Sequence, residues 1–265
     1  MRCTFDSDLH IHSQLSTCSK DPLQNPQRML DYAKEFGLNT ICITDHFWDE
    51  TVPGTSKWYE KQNYPWICQS KPLPQEDGIR FLFGCEIDMD MHMTIGLSKE
   101  HFDRFDFVVI PTTHLHMKGF AISEEDCATS EGRAKVWVER LDALLNMDLP
   151  FHKIGIAHLA CPLIDNRVPR QFLDAMELIP TCEMERLFTK AAQLGVGIEL
   201  NRRDMMFEES EANTILRPFR IAKKCGCKFY FGSDAHHPAD LDASKEIFDN
   251  AIHLLSLEES DKFII

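Results

Sequence analysis

The chain has 265 residues, of which 43% are hydrophobic and 26% charged, and its formal net charge at pH 7 is −14. This composition is ordinary for a folded soluble protein, and the length allows one barrel-type domain or two smaller ones. The acidic balance argues against a nucleic-acid partner, because few cations are free to neutralise phosphates, although an acidic chain can collect metal cations.

No stretch reaches the length of a membrane span, and the first residues lack the apolar run of a signal peptide. The ten cysteines are scattered singly, without a Cys-x-x-Cys pair. We therefore expect a reducing, cytoplasmic location with free thiols. Since no linker, repeat or composition shift divides the chain, residues 1–265 are predicted to form a single domain.

The first predicted strand carries the motif Asp8-Leu9-His10-Ile11-His12-Ser13. On a strand, the i, i+2 spacing points both imidazoles to the same face. Neutral imidazole is a common ligand of zinc-, iron- or manganese-type ions. Alone, the pair is more typical of two surface histidines on an edge strand, but strand ends of the same kind recur along the chain.

Strands and helices alternate after this motif. Short apolar runs predict strands at 40–44, 79–85, 106–110, 153–157, 197–201 and 228–232, and a period of 3.6 predicts helices at 26–36, 121–147, 182–194, 212–225 and 241–257. Residues 47–79 are predicted to be a long loop over the mouth of a site. Seven strands alternating with helices indicate an α/β fold with parallel strands.

Residues that can bind metal ions follow nearly every predicted strand. They are six histidines and two carboxylates: His10, His12, His46, Glu86, His114, His158, Asp234 and His236. Each alone has a structural alternative, such as a helix cap for Asp234, but coincidence at six strand ends is improbable. Since β/α barrels build their sites at the carboxyl ends of strands, this spread favours a closed barrel over an open doubly wound sheet.

Eight ligands exceed the needs of one tetrahedral ion, so the pattern predicts two or three divalent ions. The neighbouring Asp8, Asp45 and Asn201 are predicted to orient imidazoles. His116 and His237 lie near the same strand ends, but alternation predicts that they face away.

The motif series resembles the PHP (polymerase and histidinol phosphatase) superfamily over essentially the whole chain. It consists of Asp8–Ser13, Ile43-Thr44-Asp45-His46, Gly84-Cys85-Glu86, Thr113-His114, Ala157-His158 and Gly232-Ser233-Asp234-Ala235-His236. The resemblance implies a distorted seven-stranded, TIM-barrel-like β/α barrel whose two or three ions are commonly zinc, manganese or iron. It also places the eight candidates at metal-ligand positions. It implies phosphoester hydrolysis, with L-histidinol phosphate, of histidine biosynthesis, a known substrate of stand-alone members.

One segment departs from the family pattern. A further ligand, His or Asp, usually follows the His-x-His motif, but this chain reads Leu15-Ser16-Thr17-Cys18-Ser19-Lys20-Asp21 there. A Cys18 thiolate could bind zinc, and Asp21 is the other choice. If Cys18 is an inert thiol, two ions remain.

The hypothesis that follows is attack of a metal-bound hydroxide on phosphorus, with Asp234 or His236 carrying the proton to the leaving alkoxide. The expected partner is a small phosphorylated metabolite, with no nucleic acid or membrane. Its phosphate is expected to bind arginine and hydroxyl donors at Arg167, Arg202, Arg203 and Ser233, although two of these arginines could equally be surface charges.

Two other readings stay open. The same site could hydrolyse an amide or a phosphodiester, or the chain could be a non-catalytic metal-binding module. Because nearly every ligand type is present, the sequence argues against the non-catalytic module. The loop with Trp48, Trp58, Tyr59, Tyr64 and Trp66 could stack on a ring of the substrate.

Overall fold

Parallel strands alternate with helices throughout the chain, and the computed structural model describes all 265 residues. The strands are β1 (Ser7–Ile11), β2 (Thr40–Ile43), β3 (His46–Phe47), β4 (Arg80–Phe83), β5 (Cys85–Ile87), β6 (Val108–Pro111), β7 (Ile154–Ala157), β8 (Gly197–Asn201) and β9 (Lys228–Gly232). The helices are α1 (Pro26–Phe36), α2 (Tyr64–Ile67), α3 (Ser130–Leu145), α4 (Phe172–Leu178), α5 (Thr181–Leu194), α6 (Ala212–Lys224), α7 (Pro238–Asp242) and α8 (Ser244–Leu254).

The strands occupy seven positions around a distorted barrel. They pair in parallel in the orders β1-β2-β4 and β3-β5-β6-β7-β8-β9. Only residues 44–45 separate β2 from β3, and only Gly84 separates β4 from β5, so the two sheets continue one another. The ring is completed where the His12 N–H donates to the Ala235 carbonyl (3.1 Å) and the Asp234 N–H donates to the His10 carbonyl (2.8 Å). The predicted α/β barrel is therefore confirmed.

Helix α1 begins and ends at the predicted residues. The Asn25 side chain accepts from the Arg28 N–H at 3.1 Å, and Pro26 fits the first turn, where no N–H partner is needed. Gly37 ends the helix in the left-handed conformation (φ 70°), which glycine adopts without strain.

Two other predicted helices have different bounds. Helix α3 begins at Ser130, because the Thr129 hydroxyl accepts from the Gly132 N–H, and the preceding residues form turns and a short 3₁₀ segment. The predicted helix 241–257 is instead two helices, α7 and α8. Pro238 starts α7, and the Asp240 carboxylate accepts from the N–H groups of His236 and His237. Helix α4, and α2 within the long loop, were not expected.

The two ends of the barrel differ in polarity. Below the strand ends that carry the candidate ligands, apolar side chains fill the barrel interior: Leu9, Cys42, Leu82, Phe107, Val109, Ala157 and Tyr230. Phe263 and Ile265, among the last residues of the chain, cover this cluster. The Phe263 N–H holds this cover by donating to the Phe229 carbonyl at 2.7 Å. The histidines and carboxylates lie at the opposite end. Among the helices, none combines the length and the apolar character needed to span a bilayer.

Candidate metal centre

All eight predicted metal ligands meet at the carboxyl end of the barrel. β1 and the residue after it bring His10 and His12, β3 brings His46, and β5 brings Glu86. The segments after β6, β7 and β9 bring the others: His114, His158, Asp234 and His236. Seven of the eight are buried, with exposures of 5% or less.

Glu86 lies at the centre of this group. Its Oε2 is 2.9 Å from Nδ1 of His46 and 3.2 Å from Nε2 of His12, and its Oε1 is 3.2 Å from Nε2 of His158. Around it, four sets of three side chains bring potential ligand atoms within 4.8 Å of one another. They are His12, His46 and His236; His10, His12 and Asp234; His10, His158 and Glu199; and Glu86, His114 and His158.

This donor set fits divalent metal ions. Nδ1 of His46 and Oε2 of Glu86 are buried, and neither makes a hydrogen bond of acceptable geometry, although they lie close together. Buried polar atoms without a partner are costly, and a cation between them removes that cost. Imidazole nitrogens with carboxylate oxygens are ligands that suit zinc, manganese and iron.

The pKa shifts in this group run in both directions, since neighbouring carboxylates outweigh burial and raise the pKa of His10, His12 and His114. Burial raises the pKa of Glu86, but the nearby His46 and His10 lower it more, so its pKa lies well below the usual value. Arg203 and His10 act in the same sense on Asp234. Burial lowers the pKa of His236 well below its usual value, which keeps this imidazole neutral. The site therefore holds ionised carboxylates beside a neutral imidazole.

Four of the imidazoles are oriented through their Nδ1 atoms. His10 bonds Glu199 Oε1 at 2.6 Å, and His114 bonds Asp88 Oδ2 at 2.8 Å. His12 and His158 bond hydroxyl oxygens at 2.9 and 3.1 Å, those of Ser16 and Thr113. Such partners fix the ring and leave Nε2 for a metal.

Sequence reasoning missed these four partners. The signal for Glu199 was available, because a carboxylate stands in the middle of the fully buried strand β8. Asp88 follows β5 in the same way. It also accepts from the Tyr59 hydroxyl at 3.0 Å and contacts the fully buried Arg140 at 3.4 Å. Ser16 and Thr113 carried no signal beyond nearness to a ligand.

The three residues predicted to orient imidazoles act indirectly. Asp45 accepts from the Ser16 hydroxyl at 2.7 Å, and Ser16 in turn contacts His12. Asp8 accepts from the backbone N–H groups of Ser233 and His10, which ties β9 to β1. The Asn201 amide donates to Glu199 Oε2 at 3.1 Å. None of the three carboxylate or amide groups bonds an imidazole, so this prediction was wrong in its detail.

Two ligand residues have a strained backbone. His158 and Asp234 adopt positive φ angles of 36° and 50°, in the left-handed region that costs energy for residues with a side chain. Each is held there by surrounding bonds, since the His158 N–H donates to Glu199 and the Asp234 N–H to the His10 carbonyl. Strain of this kind concentrates at functional sites.

Neither candidate for an additional ligand joins the four sets. Cys18 lines the cavity above them, but its thiol belongs to none. Asp21 lies 2.8 Å from Nε2 of the exposed His237, and this contact occupies its carboxylate. The four ligand sets therefore contain neither Cys18 nor Asp21.

A cavity of about 790 Å³ opens directly above Glu86. Arg203 lines it and lies 3.9 Å from Asp234. The structure does not bring Arg167 into it, because Asp165 holds that guanidinium in an ion pair.

The expected contributions of Arg202 and Ser233 to this cavity are also not seen. Arg202 is buried against Asp240 at 2.7 Å and the Ser233 carbonyl at 3.2 Å. The Ser233 hydroxyl faces the His10 carbonyl at 3.4 Å. Both side chains therefore support the junction between β9 and β1.

Of the five aromatic residues of the loop that were expected to face the substrate, two line the cavity. Trp58 and Tyr59 line the cavity, whereas Trp48 is buried behind it and Trp66 donates to the Leu15 carbonyl. Tyr64 packs on Phe105.

His116 lines the cavity, contrary to the prediction from alternation, because the chain turns after β6. Burial lowers the pKa of His116 to about 4, and its Nδ1 has no partner in the protein. His237 is exposed and caps α7.

Comparisons with known proteins agree with this architecture. A family model described as PHP domain matches residues 8–203. A "Probable phosphatase" of Caldicellulosiruptor bescii is 24% identical over 239 residues, 89% of this chain and 82% of the relative, and one of Caldicellulosiruptor saccharolyticus is 23% identical over the same length. A histidinol phosphate phosphatase of Lactococcus lactis, crystallised with zinc, L-histidinol and phosphate, superimposes with a TM-score of 0.64 at 19% identity, covering 94% of each chain.

Proposed function

The chain belongs to the PHP domain family, and from this premise we propose that it is a metal-dependent phosphatase of small phosphate monoesters. The observation that carries the proposal is the convergence of seven other candidate ligand side chains around Glu86, beneath a cavity that Arg203 lines. The fold shared with a histidinol phosphate phosphatase and the sequence likeness to probable phosphatases support it.

The four ligand sets would hold two or three divalent ions, with Glu86 and Asp234 placed to contribute oxygen ligands. Zinc, manganese and iron all suit this mixture of imidazole and carboxylate. When bound, such ions supply Lewis acidity, which activates water and stabilises negative charge that develops on a phosphoryl group.

The chain's own residues have separate tasks around this centre. The guanidinium of Arg203, which lines the cavity 3.9 Å from Asp234, is placed to bind phosphoryl oxygens, since a planar fork of donors suits phosphate. The Nδ1 of His236 bonds the Asp234 carbonyl at 2.8 Å, which places its proton there and leaves Nε2 unprotonated. That nitrogen is therefore available to an ion held together with His12 and His46.

L-Histidinol phosphate is the first ester to test, because a structural neighbour was crystallised with L-histidinol and phosphate. The assay measures phosphate release from this and other small phosphomonoesters, with zinc or manganese added and again after chelation. Elemental analysis of the purified protein counts the bound ions. We expect release that requires metal, from two or three ions per chain.

A pair of variants makes this test specific. Glu86→Gln removes the central carboxylate and should lower both metal content and turnover, by about 100-fold for turnover. Glu209→Gln makes the same chemical change at an exposed position away from the site and should alter neither. If folded, metal-loaded protein released no phosphate from any monoester, the proposal would fail. Phosphodiesters and amides would then be tested with the same ions, and no turnover of either would leave a metal-binding module.

A further inference from the structure

The mouth of the cavity combines cations with aromatic rings. Two loops line it, and each contributes one lysine and at least one aromatic side chain. The loop after β3 brings Lys57 and Trp58, and the turn after β6 brings Lys118 and Phe120. Both lysines are exposed, and neither has a carboxylate within 4.0 Å of its Nζ atom, in a chain with an excess of 14 negative charges.

No free carboxylate balances these cations inside the cavity. The only acidic side chains that line it are Glu86 and Asp234, and both belong to the metal-ligand sets. An ammonium group on a substrate would therefore find no acidic partner and would face Lys57, Lys118 and Arg203. An anionic group would find cations without competing partners, and the local charge is opposite to that of the chain as a whole.

Aromatic rings line the cavity beside the metal-ligand residues and form an aromatic wall. The Trp58 ring meets His46 edge-on, with centroids 4.7 Å apart, and meets Tyr59 at 4.6 Å. Tyr59 in turn packs on Phe120 at 5.9 Å. Trp58 and Phe120 are half-buried, so part of each ring remains available to a ligand, and a flat ring stacks well on such surfaces.

From this arrangement we infer that the preferred substrate is a phosphate monoester of a ring-bearing alcohol or phenol that carries a second anionic group, a carboxylate. This inference rests on the proposed function and specifies its substrate class. Arg203 binds the phosphate beside the residues that would hold the ions, the aromatic wall stacks on the ring, and Lys57 and Lys118 bind the carboxylate. In the reaction, the phosphorus–oxygen bond to the leaving group breaks, water supplies the new phosphorus–oxygen bond, and a proton from that water passes to the leaving oxygen.

Three aryl phosphates with the same ring and a negative, neutral or positive para substituent test the inference. 4-(Carboxymethyl)phenyl, 4-methylphenyl and 4-(aminomethyl)phenyl phosphate are hydrolysed by the metal-loaded protein, and kcat/KM is measured for each. We expect the carboxylate ester to exceed the ammonium ester by about tenfold, which is about 1.4 kcal/mol, a modest factor because exposed ion pairs are weak. L-Histidinol phosphate, which carries an ammonium group, should have a low kcat/KM, as the ammonium ester does.

Variants identify the residues that cause the preference. The double variant Lys57→Gln, Lys118→Gln should bring the ratio of carboxylate to ammonium ester close to one. Lys61→Gln, an exposed lysine of the same loop that does not line the cavity, should leave the ratio as in the wild type. If the lysines bind the phosphate instead, the double variant would lower kcat/KM for all three esters equally, and the inference would be wrong.

Failure of this inference and failure of the proposed function give different results. A ratio near one, or a preference for the ammonium ester, with ready hydrolysis of the 4-methylphenyl ester, overturns the inference and leaves the phosphatase in place. Absence of hydrolysis of all three esters and of L-histidinol phosphate overturns the proposed function and the inference with it.

Discussion

Glu199→Gln tests whether a buried carboxylate sets the tautomer of a metal-binding histidine. Glu199 Oε1 accepts from Nδ1 of His10 at 2.6 Å, while its Oε2 accepts from the His158 N–H at 2.8 Å and from the Asn201 amide at 3.1 Å. A glutamine keeps the shape but has only one oxygen. Its oxygen must face the two donors of His158 and Asn201, so its amide faces His10.

The amide then donates to Nδ1 of His10, and the proton of that ring moves to Nε2. This nitrogen faces the metal centre, 3.0 Å from Nε2 of His12 and 3.6 Å from Glu86. A protonated Nε2 cannot bind a metal. Loss of an orienting partner of this kind lowers metal affinity by about 10- to 100-fold, or about 1.4–2.7 kcal/mol.

The assay is zinc binding by competition with a chromophoric chelator at fixed pH, with circular dichroism to establish that the variant is folded. Glu209→Gln is the matched control, because it makes the same change on the exposed surface and should bind zinc as the wild type does. An affinity of folded Glu199→Gln within roughly threefold of the wild type would refute the argument that Glu199 fixes the His10 tautomer.

Three further changes test other parts of the fold. A Cβ at Gly232 would lie 1.9 Å from Glu199 Oε1. Gly232→Ala should therefore lower the zinc affinity, and it should lower the free energy of unfolding by about 1–3 kcal/mol. The control Gly37→Ala, in an open turn, should lower only the free energy of unfolding, by about 1 kcal/mol. Phe263→Ala should lower the unfolding free energy by about 2 kcal/mol, because this half-buried ring covers the apolar cluster in the barrel. Turnover per folded molecule should not change, because the candidate site lies at the other end of the barrel, and a loss of turnover would contradict this. Burial raises the pKa of Asp49, but hydrogen bonds from Thr51 and His101 lower it more, to well below 3.8. The contribution of Asp49 to stability is therefore complete above pH 3.8 and is lost as the pH falls below that value. Asp49→Asn should therefore be less stable at pH 7 and lose less stability on acidification in urea titrations, and parallel pH curves for the two proteins would count against this.

The barrel and the convergence of the candidate ligands were predictable because both follow from short-range patterns. Six strand ends carry a residue of a metal-binding type at the end of an apolar run or within a few residues of it, and the carboxyl ends of parallel strands meet at one end of a barrel. Helix α1 was predicted to the residue because Pro26 and Gly37 mark its ends. Helix α3 was predicted nine residues too early, since the cap at Thr129 competes with a weak helical pattern before it.

The groups that orient the imidazoles were not predictable in the same way. The bond from His10 to Glu199 joins residues 189 positions apart, and the pair that orients His114 depends on the turn after β6. Such contacts depend on the register between strands and on rotamers, which no local pattern specifies.

The arginines show why position after a strand is a poor guide to a phosphate site. Arg167, Arg202 and Arg203 all follow strands, but Asp165 and Asp240 hold the first two away from the cavity. A long cationic side chain is directed by the nearest carboxylate, and in a chain with 42 acidic and 28 basic residues such a carboxylate is usually close. The informative cations are therefore those that line a cavity and lack a close acidic partner. Lys57 and Lys118 meet that criterion, which is why the substrate's second charge is sought there.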